Sequence, residues 1–524
     1  MTGSLLATWK STPACYGDVM LNTAPILSIL LLATASMGQW SDDASINTLV
    51  SGEDAGCVIS HAASTSTGDT WIAWYDSSSG YDVSIQRLDA NGTPVFEAPV
   101  LVSDQSLSWV QDFDLACVGG DNAALAWSDG AATYAVMIAL DGSVAWEHQF
   151  GGGGGYTANA QICRGDDTRT IIGWGVDSDS HFQAIATNGM PAWFTELVIS
   201  DGGTLIVSDL HSSGDEHVIA SFVSYTSFSG PKRLKAARIS TAGTVTWGLT
   251  NVFTSSSLQY GAFPEFISDD SGGAVLSWYT SSPLMIFVQW IDADGTVLLG
   301  SNGLALTTES SMAHVSPAAC HDPINDEVTV FWARQNSGQS QSGVQVNRVN
   351  RSGNRLLGAT GEQVMPLSSS LSVLDLSAAQ VNELAAATWV SASVTGVGTV
   401  LAAAADPNGN LPWNTVFGPT SIGTPSISRQ DLSATSHDGQ LIACWSDTRD
   451  GSQRIYAQNI HTDGTLGGTP CPADFDGDGA VGVNDLLMLI AAWGTSDPVI
   501  DITGDGHVDT DDLLALLSQW GPCA

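Results

Sequence analysis

Apolar residues in this chain recur in short runs bounded by Gly, Asn, Asp and Ser, the pattern of brief strands joined by tight turns. One unit recurs eight times: an apolar strand, a turn, a second apolar strand ending in Trp, a third strand, then a glycine turn into a fourth. In the first unit, WIAWYD places Trp74 at the end of the second strand, and SIQRLDANGTPVF supplies the third strand and an Asn91-Gly92 turn. The second-strand anchors are Trp74, Trp127, Trp174, Phe222, Trp278, Trp332, Trp389 and Trp445, spaced 47 to 57 residues apart. The matching turn glycines are Gly92, Gly142, Gly189, Gly243, Gly295, Gly353, Gly409 and Gly464. Asn-Gly and Asp-Gly dominate there because they accept the positive φ that a two-residue hairpin needs.

Four-stranded units of this length, repeated around an axis, make a β-propeller. Eight anchors predict eight blades, with seven the alternative because the unit holding Phe222 diverges. The last unit stops at HTDGTLGG, one strand short, while Ile46–Gly52 (INTLVSG) resembles the fourth-strand segment Pro99–Asp104. Residues 44–51 are therefore expected to pair with the strand around Arg454–Ile460 and close the ring, removing two exposed edges. The recurrent Trp residues read as inter-blade packing, as do Trp146, Trp193, Trp247 and Trp413 after the turn glycine. Trp290 has no counterpart in other units and is a candidate binding aromatic. Cys57, Cys117, Cys163 and Cys320 share a first-strand position and read as buried free thiols, with Cys117–Cys163 the pair to watch. Cys444 is expected in the core.

The 524-residue chain has 15 Lys+Arg against 54 Asp+Glu, a net charge of −39. That balance argues against binding nucleic acid and favours association with cations. The longest apolar run, Pro25–Met37, is too short to span a bilayer and is followed by an A-x-A site, as in a secretory signal. Residues 1–38 are read as a leader, its true start at Met1 or Met20. The propeller occupies 39–468 and a distinct module 469–524. The mature chain is expected to be secreted and without a membrane span, with retention at the cell surface left open.

After Gly468 two copies of one loop appear, 27 residues apart. The first carries Asp474, Asp476, Asp478, Gly479 and Asp485 at positions 1, 3, 5, 6 and 12; the second carries Asp501, Thr503, Asp505, Gly506 and Asp512. Calcium takes six to eight hard oxygens, and alternate loop residues turn theirs inward. Position 7 adds a carbonyl (Ala480 and His507), and Asp509 at position 9 acts through water. Each loop runs into an apolar helix, LLMLIAAWG or LLALLSQWG. Two calcium ions are expected, the second held more weakly because Thr503 replaces Asn or Asp.

This arrangement resembles a type I dockerin over residues 471–523, and the dockerin-like anchors ending in Gly-x-Cys, here Gly521-Pro522-Cys523. The resemblance implies a cohesin-like or other surface receptor as partner. It places partner recognition at Val483, Asn484, Thr510 and Asp511, which depart from the Ser-Thr pairs of cellulosomal dockerins. Dockerin ends lie close together, so Cys471 and Cys523 are expected to form a disulfide worth roughly 3–4 kcal/mol.

No HExxH, GxSxG or P-loop is present. The favoured reading is a secreted, non-catalytic binding or display propeller, taking a polysaccharide or protein ligand and anchored through the calcium module. The alternative is a carbohydrate-active hydrolase or lyase with carboxylates at the channel mouth. Carboxylates and exposed aromatics at that mouth favour the enzyme; small apolar or Ser/Thr residues favour the binder.

Overall fold

The computed structural model describes residues 40–522 apart from 152, 260, 262, 394, 469–472, 477–479, 498 and 504–505, and the side chains of 425, 426 and 522. The leader, Cys471 and Cys523 lie outside the described residues.

The repeats fold as antiparallel sheets with strands in chain order: six four-stranded sheets and one seven-stranded sheet. The seven-stranded sheet is two blades fused, because the 18-residue strand Thr420–His437 ends blade 7 and begins blade 8. The eight blades start at residues 57, 114, 157, 204, 266, 313, 371 and 429. Middle strands are buried along nearly their whole length, Thr70–Asp76 and Gln440–Asp447 among them, because each sheet packs on a neighbour through both faces. All eight anchors are core residues, Trp127 the most accessible at 2%. The ring closes as the repeat pattern predicts: Thr48 pairs with Ala457 and Leu49 with Tyr456, 409 and 407 residues apart.

A second contact repeats around the ring. Trp146 lies against turn Gly189 of the next blade, Trp193 against Gly243, Trp247 against Gly295 and Trp413 against Gly464. The indoles of Trp193 and Trp413 donate to the carbonyls of Thr241 and Thr462, both at 2.9 Å. Phe96, Leu299 and Leu357 take the same place over Gly142, Gly353 and Gly409. At the closing junction the position is filled by Trp40, which precedes the first repeat. A Cβ on Gly92 would come 2.4 Å from the Trp40 ring.

The first strands carry a second device, a bulge one step from the channel. Ile59, Asn159, Ser316, Asp375 and Asp431 there adopt φ between 47° and 57°, a region that non-glycine residues seldom enter. At three junctions the turned N–H is held by the preceding blade. Asp375 Oδ2 accepts Asp431 N at 2.9 Å, Asp431 Oδ2 accepts Ile59 N at 3.0 Å, and Gln111 Oε1 accepts Asn159 N at 2.9 Å. Asp431→Ala should leave the Ile59 N–H without its acceptor and lower unfolding free energy by about 1–3 kcal/mol in urea melts. An unchanged melt would show that water replaces the clasp.

Trp290 corrects an expectation. It is fully buried with Val288, Leu306 and Val330, its indole donates to Asp269 at 2.9 Å, and Arg351 covers its ring. It is a core residue because the third strand of blade 5 faces blade 6. Cys57, Cys117, Cys163 and Cys320 all lie on first strands and are free, as is Cys444 on a second strand. Burial pushes the thiols of Cys57, Cys320 and Cys444 up to about 12.

The C-terminal module contains helices α1 (Val483–Ala491) and α2 (Thr510–Ser518). Ala480–Val481 pairs with Gly521–Pro522, tying its two ends. Its core is Ala473, Val481, Leu489, Ile500, Val508 and Leu516.

Candidate calcium loops and channel mouth

Asp485 and Asp512 open α1 and α2 at equivalent positions and are fully buried. Asp485 Oδ1 accepts the N–H groups of Phe475 (2.8 Å) and Asp476 (3.2 Å), and Oδ2 accepts that of Gly482 (2.7 Å). Asp512 repeats this with Thr503 N at 3.0 Å and Asp509 N at 2.8 Å. Each carboxylate thereby folds its loop back over the helix start, where unpaired N–H groups favour negative charge.

In the first loop, carboxylate oxygens of Asp474, Asp476 and Asp485 lie within 4.8 Å of one another. In the second, Thr503 Oγ1 stands 3.1 Å from Asp512 Oδ1 and 3.4 Å from Asp501 Oδ1, and Asp501 Oδ2 accepts Gly506 N at 2.8 Å. Asp478 and Asp505 lie outside the described residues. Ala480 sits in the short strand, exposed His507 precedes buried Val508, and Asp509 caps α2 by accepting Asp511 N at 2.9 Å. Of the expected recognition residues, Val483, Asn484, Thr510 and Asp511 are all exposed, and Asn484 Nδ2 donates to Asp476 at 2.9 Å.

A larger feature escaped the sequence reading. Leu487, Ile490 and Trp493, and 27 residues on Leu514, Leu517 and Trp520, are 46–60% exposed. They form an outward apolar ridge on each repeat, opposite inward Leu489 and Leu516. The signal was present in helices more apolar than one buried stripe requires.

At the propeller channel, matched first-strand positions oppose the residue before each anchor. They read His61, Asp114, Gln161 and Asp209 in blades 1–4, with Glu265 just ahead of the first strand of blade 5. The corresponding residues in blades 6–8 are Ala318, Ser377 and Ser433. At these matched positions blades 1, 2, 4 and 5 therefore carry titratable groups and blades 6–8 small ones, with Asp375 and Asp431 on the bulges of blades 7 and 8. His61 Nε2 meets Asp112 at 2.8 Å and His211 Nε2 meets Asp209 at 3.0 Å. Asp114 and Asp209 also accept the backbone N–H groups of Ile162 and Phe266 in the next blades, both at 2.7 Å, so part of this charge is structural.

Desolvation pushes His61 and His211 down, but the adjacent carboxylates outweigh it and hold both imidazoles up at about 9. Desolvation by the crowded surroundings raises Glu265, whose side chain is still open to solvent, to about 7 and half-buried Asp114 to about 6. Asp112 feels the same desolvation, yet His61 keeps it below the usual carboxylate range. The imidazoles titrate near 6.5 when unfolded, so between about 6.5 and 9 the native state binds more protons. Stability should fall as pH rises through that window. The doubly substituted His61→Gln, His211→Gln chain should show a flatter fall in urea melts, and an identical slope would remove these pairs from the pH dependence.

Among the described residues, no helix is long and apolar enough to cross a membrane. No family model and no curated protein matches the chain. Solved structures do. A puromycin hydrolase is 13% identical over 79% of this chain with a TM-score of 0.43; the chain spans only 61% of that protein's length. The BP39L lectin from Burkholderia pseudomallei is 12% identical over 79% of this chain and 98% of its own, with a TM-score of 0.44. The Dos1 propeller is 13% identical over 77% and 93%, with a TM-score of 0.43. These likenesses concern fold alone.

Proposed function

We propose that the protein is a secreted, non-catalytic binding or display propeller, attached to a partner through a calcium-dependent, dockerin-like module. The observation that carries this reading is the first loop's convergence. Oxygens each about 2.4 Å from one calcium ion stand at most about 4.8 Å apart, the limit that Asp474, Asp476 and Asp485 meet. Asp501, Thr503 and Asp512 would hold the second ion with one carboxylate fewer. Bound calcium would supply the positive charge that lets clustered carboxylates stay ionised and each loop stay folded against its helix. The duplicated ridge of Leu487, Ile490, Trp493, Leu514, Leu517 and Trp520 supports a protein partner, because a solvent-facing apolar surface of this extent on so small a module marks a contact site. The test is calcium titration of the full chain by calorimetry, before and after Asp485→Ala. Two binding events, one lost in the variant, support the reading; no calcium uptake sinks it.

A second reading, cleavage of a glycosidic bond, is favoured by one observation: Glu265 is raised to about 7 while Asp112 is lowered in the same mouth. Carboxyl groups split in this way suit an acid and a base. Release of reducing ends from polysaccharide, abolished in Glu265→Gln, would establish it; no release from a broad panel keeps the non-catalytic reading.

A further inference from the structure

Beside the channel mouth, blades 2–5 enclose an open groove of about 330 Å³. Its walls include Trp109, Tyr156, Tyr225 and Phe263, and Gln111, Asn159 and Asp177 supply polar groups. Three of the rings stand in solvent: Trp109 is 56% exposed, Tyr156 54% and Phe263 40%. The floor is made of small and aliphatic groups. A Cβ on Gly175 would come 3.1 Å from Ile206 Cδ1, so the missing side chain gives the groove its depth.

The walls are set in place before any ligand arrives. Tyr156 lies over the turn at Gly130, where a Cβ would approach its ring to 3.2 Å. Its hydroxyl accepts Gln111 Nε2 at 3.0 Å, and its backbone N–H donates to Asp177 at 2.9 Å. Gln111 in turn holds Asn159 N across the blade junction. An exposed aromatic fixed at ring, hydroxyl and backbone offers a flat face at little entropic cost.

The geometry points to a binding subsite for an uncharged pyranose chain. Pyranose C–H faces stack on aromatic rings, and their hydroxyls pair with amide and carboxylate oxygens. Among the described residues no Lys, Arg or His lines the groove, and the chain carries a net charge of −39. Uronate and sulfated polymers would meet the net negative charge with no cation among the lining residues, and the nearest imidazoles, His61 and His211, are already paired with Asp112 and Asp209. The adjoining residues Asp112 and Glu265 extend the acidic character on the channel side.

This inference rests on the propeller being a binding body, and the experiment separates the two. Tryptophan fluorescence of the full chain is followed while cellohexaose, xylohexaose, mannohexaose or hexagalacturonate is added. A saturable change with at least one neutral hexasaccharide is expected, weakened at least tenfold in Trp109→Ala and unaffected by calcium chelation. Tyr156→Phe, which keeps the ring and removes the hydroxyl held by Gln111, should weaken binding less than Trp109→Ala. Response to hexagalacturonate alone, to none of the four, or equal binding by wild type and Trp109→Ala would overturn the subsite. Binding accompanied by new reducing ends would sink the non-catalytic reading and leave the subsite standing. Absence of binding with calcium uptake intact would sink the subsite and leave the module standing.

Discussion

Trp40→Ala should lower the unfolding free energy by about 3–5 kcal/mol, the cost of truncating a buried aromatic side chain to Ala in a core. Trp40 is 3% exposed, lies on the Gly92 turn, and donates its indole N–H to the Ala90 carbonyl at 3.1 Å and its backbone N–H to Asn91 at 2.8 Å. It covers the junction between blades 8 and 1, where the N-terminal strand completes blade 8 by pairing Thr48 with Ala457 and Leu49 with Tyr456. Nearby, Gln458 Nε2 donates to Ser41 O at 2.7 Å and Thr424 N to Ala44 O at 2.7 Å, so the whole segment is woven into the last two blades. Losing the indole should therefore loosen the closure as well as the core. The measurement is a thermal melt of Trp40→Ala beside Trp193→Ala, which removes the same contact at the junction of the separate sheets of blades 3 and 4, and Phe194→Ala, whose side chain is fully exposed. Equal melting of Trp40→Ala and Phe194→Ala would refute the closing role.

The second large effect is expected at Asp485. Calcium at about a hundred times its dissociation constant adds about 2.7 kcal/mol to whatever folds around it, and Asp485→Ala should remove that contribution for the first site. The same change leaves the N–H groups of Phe475, Asp476 and Gly482 without their acceptor, so the module should melt early even in excess calcium. Asp485→Asn separates the two effects, since its one remaining carbonyl oxygen still accepts some of these bonds while the charge is gone. Calcium-dependent protection of the module's amides from hydrogen exchange is the readout. Equal protection with and without calcium in the wild-type chain would contradict the proposal. The Thr503→Asp chain should bind its second ion about tenfold more tightly.

Much of the molecule was legible because a propeller repeats short-range instructions. An apolar run ending in Trp and an Asn-Gly or Asp-Gly turn are local signals, and eight copies at similar spacing fix both blade count and the need for a closing strand. Even the divergent Phe222 sits at 0% exposure in the place of its Trp counterparts. The convergence of Asp474, Asp476 and Asp485 was legible for the same reason, since these residues lie within twelve positions of one another. Trp290 was misread because its indole is occupied by Asp269 and Arg351, the latter from another blade, which no local pattern reports. The exposed module ridge was missed because outward and inward apolar residues look alike in sequence.

The sequence by itself determined the strands, the turns, the anchors, the two acidic loops and the pairing that closes the ring, all through periodicities a few residues long. Only the tertiary structure decided that Trp40 stands in for the blade-to-blade contact at Gly92, that Asp431 holds the turned N–H of Ile59 372 residues earlier, and that His61, Asp114, Asp209 and Glu265 share one side of the channel. It alone brought Trp109, Tyr156 and Phe263 around one groove. The physical reason is that a ring sets neighbouring blades at a distance fixed by closure, so the residues that meet there are chosen by the geometry of the whole circle rather than by any run of chain.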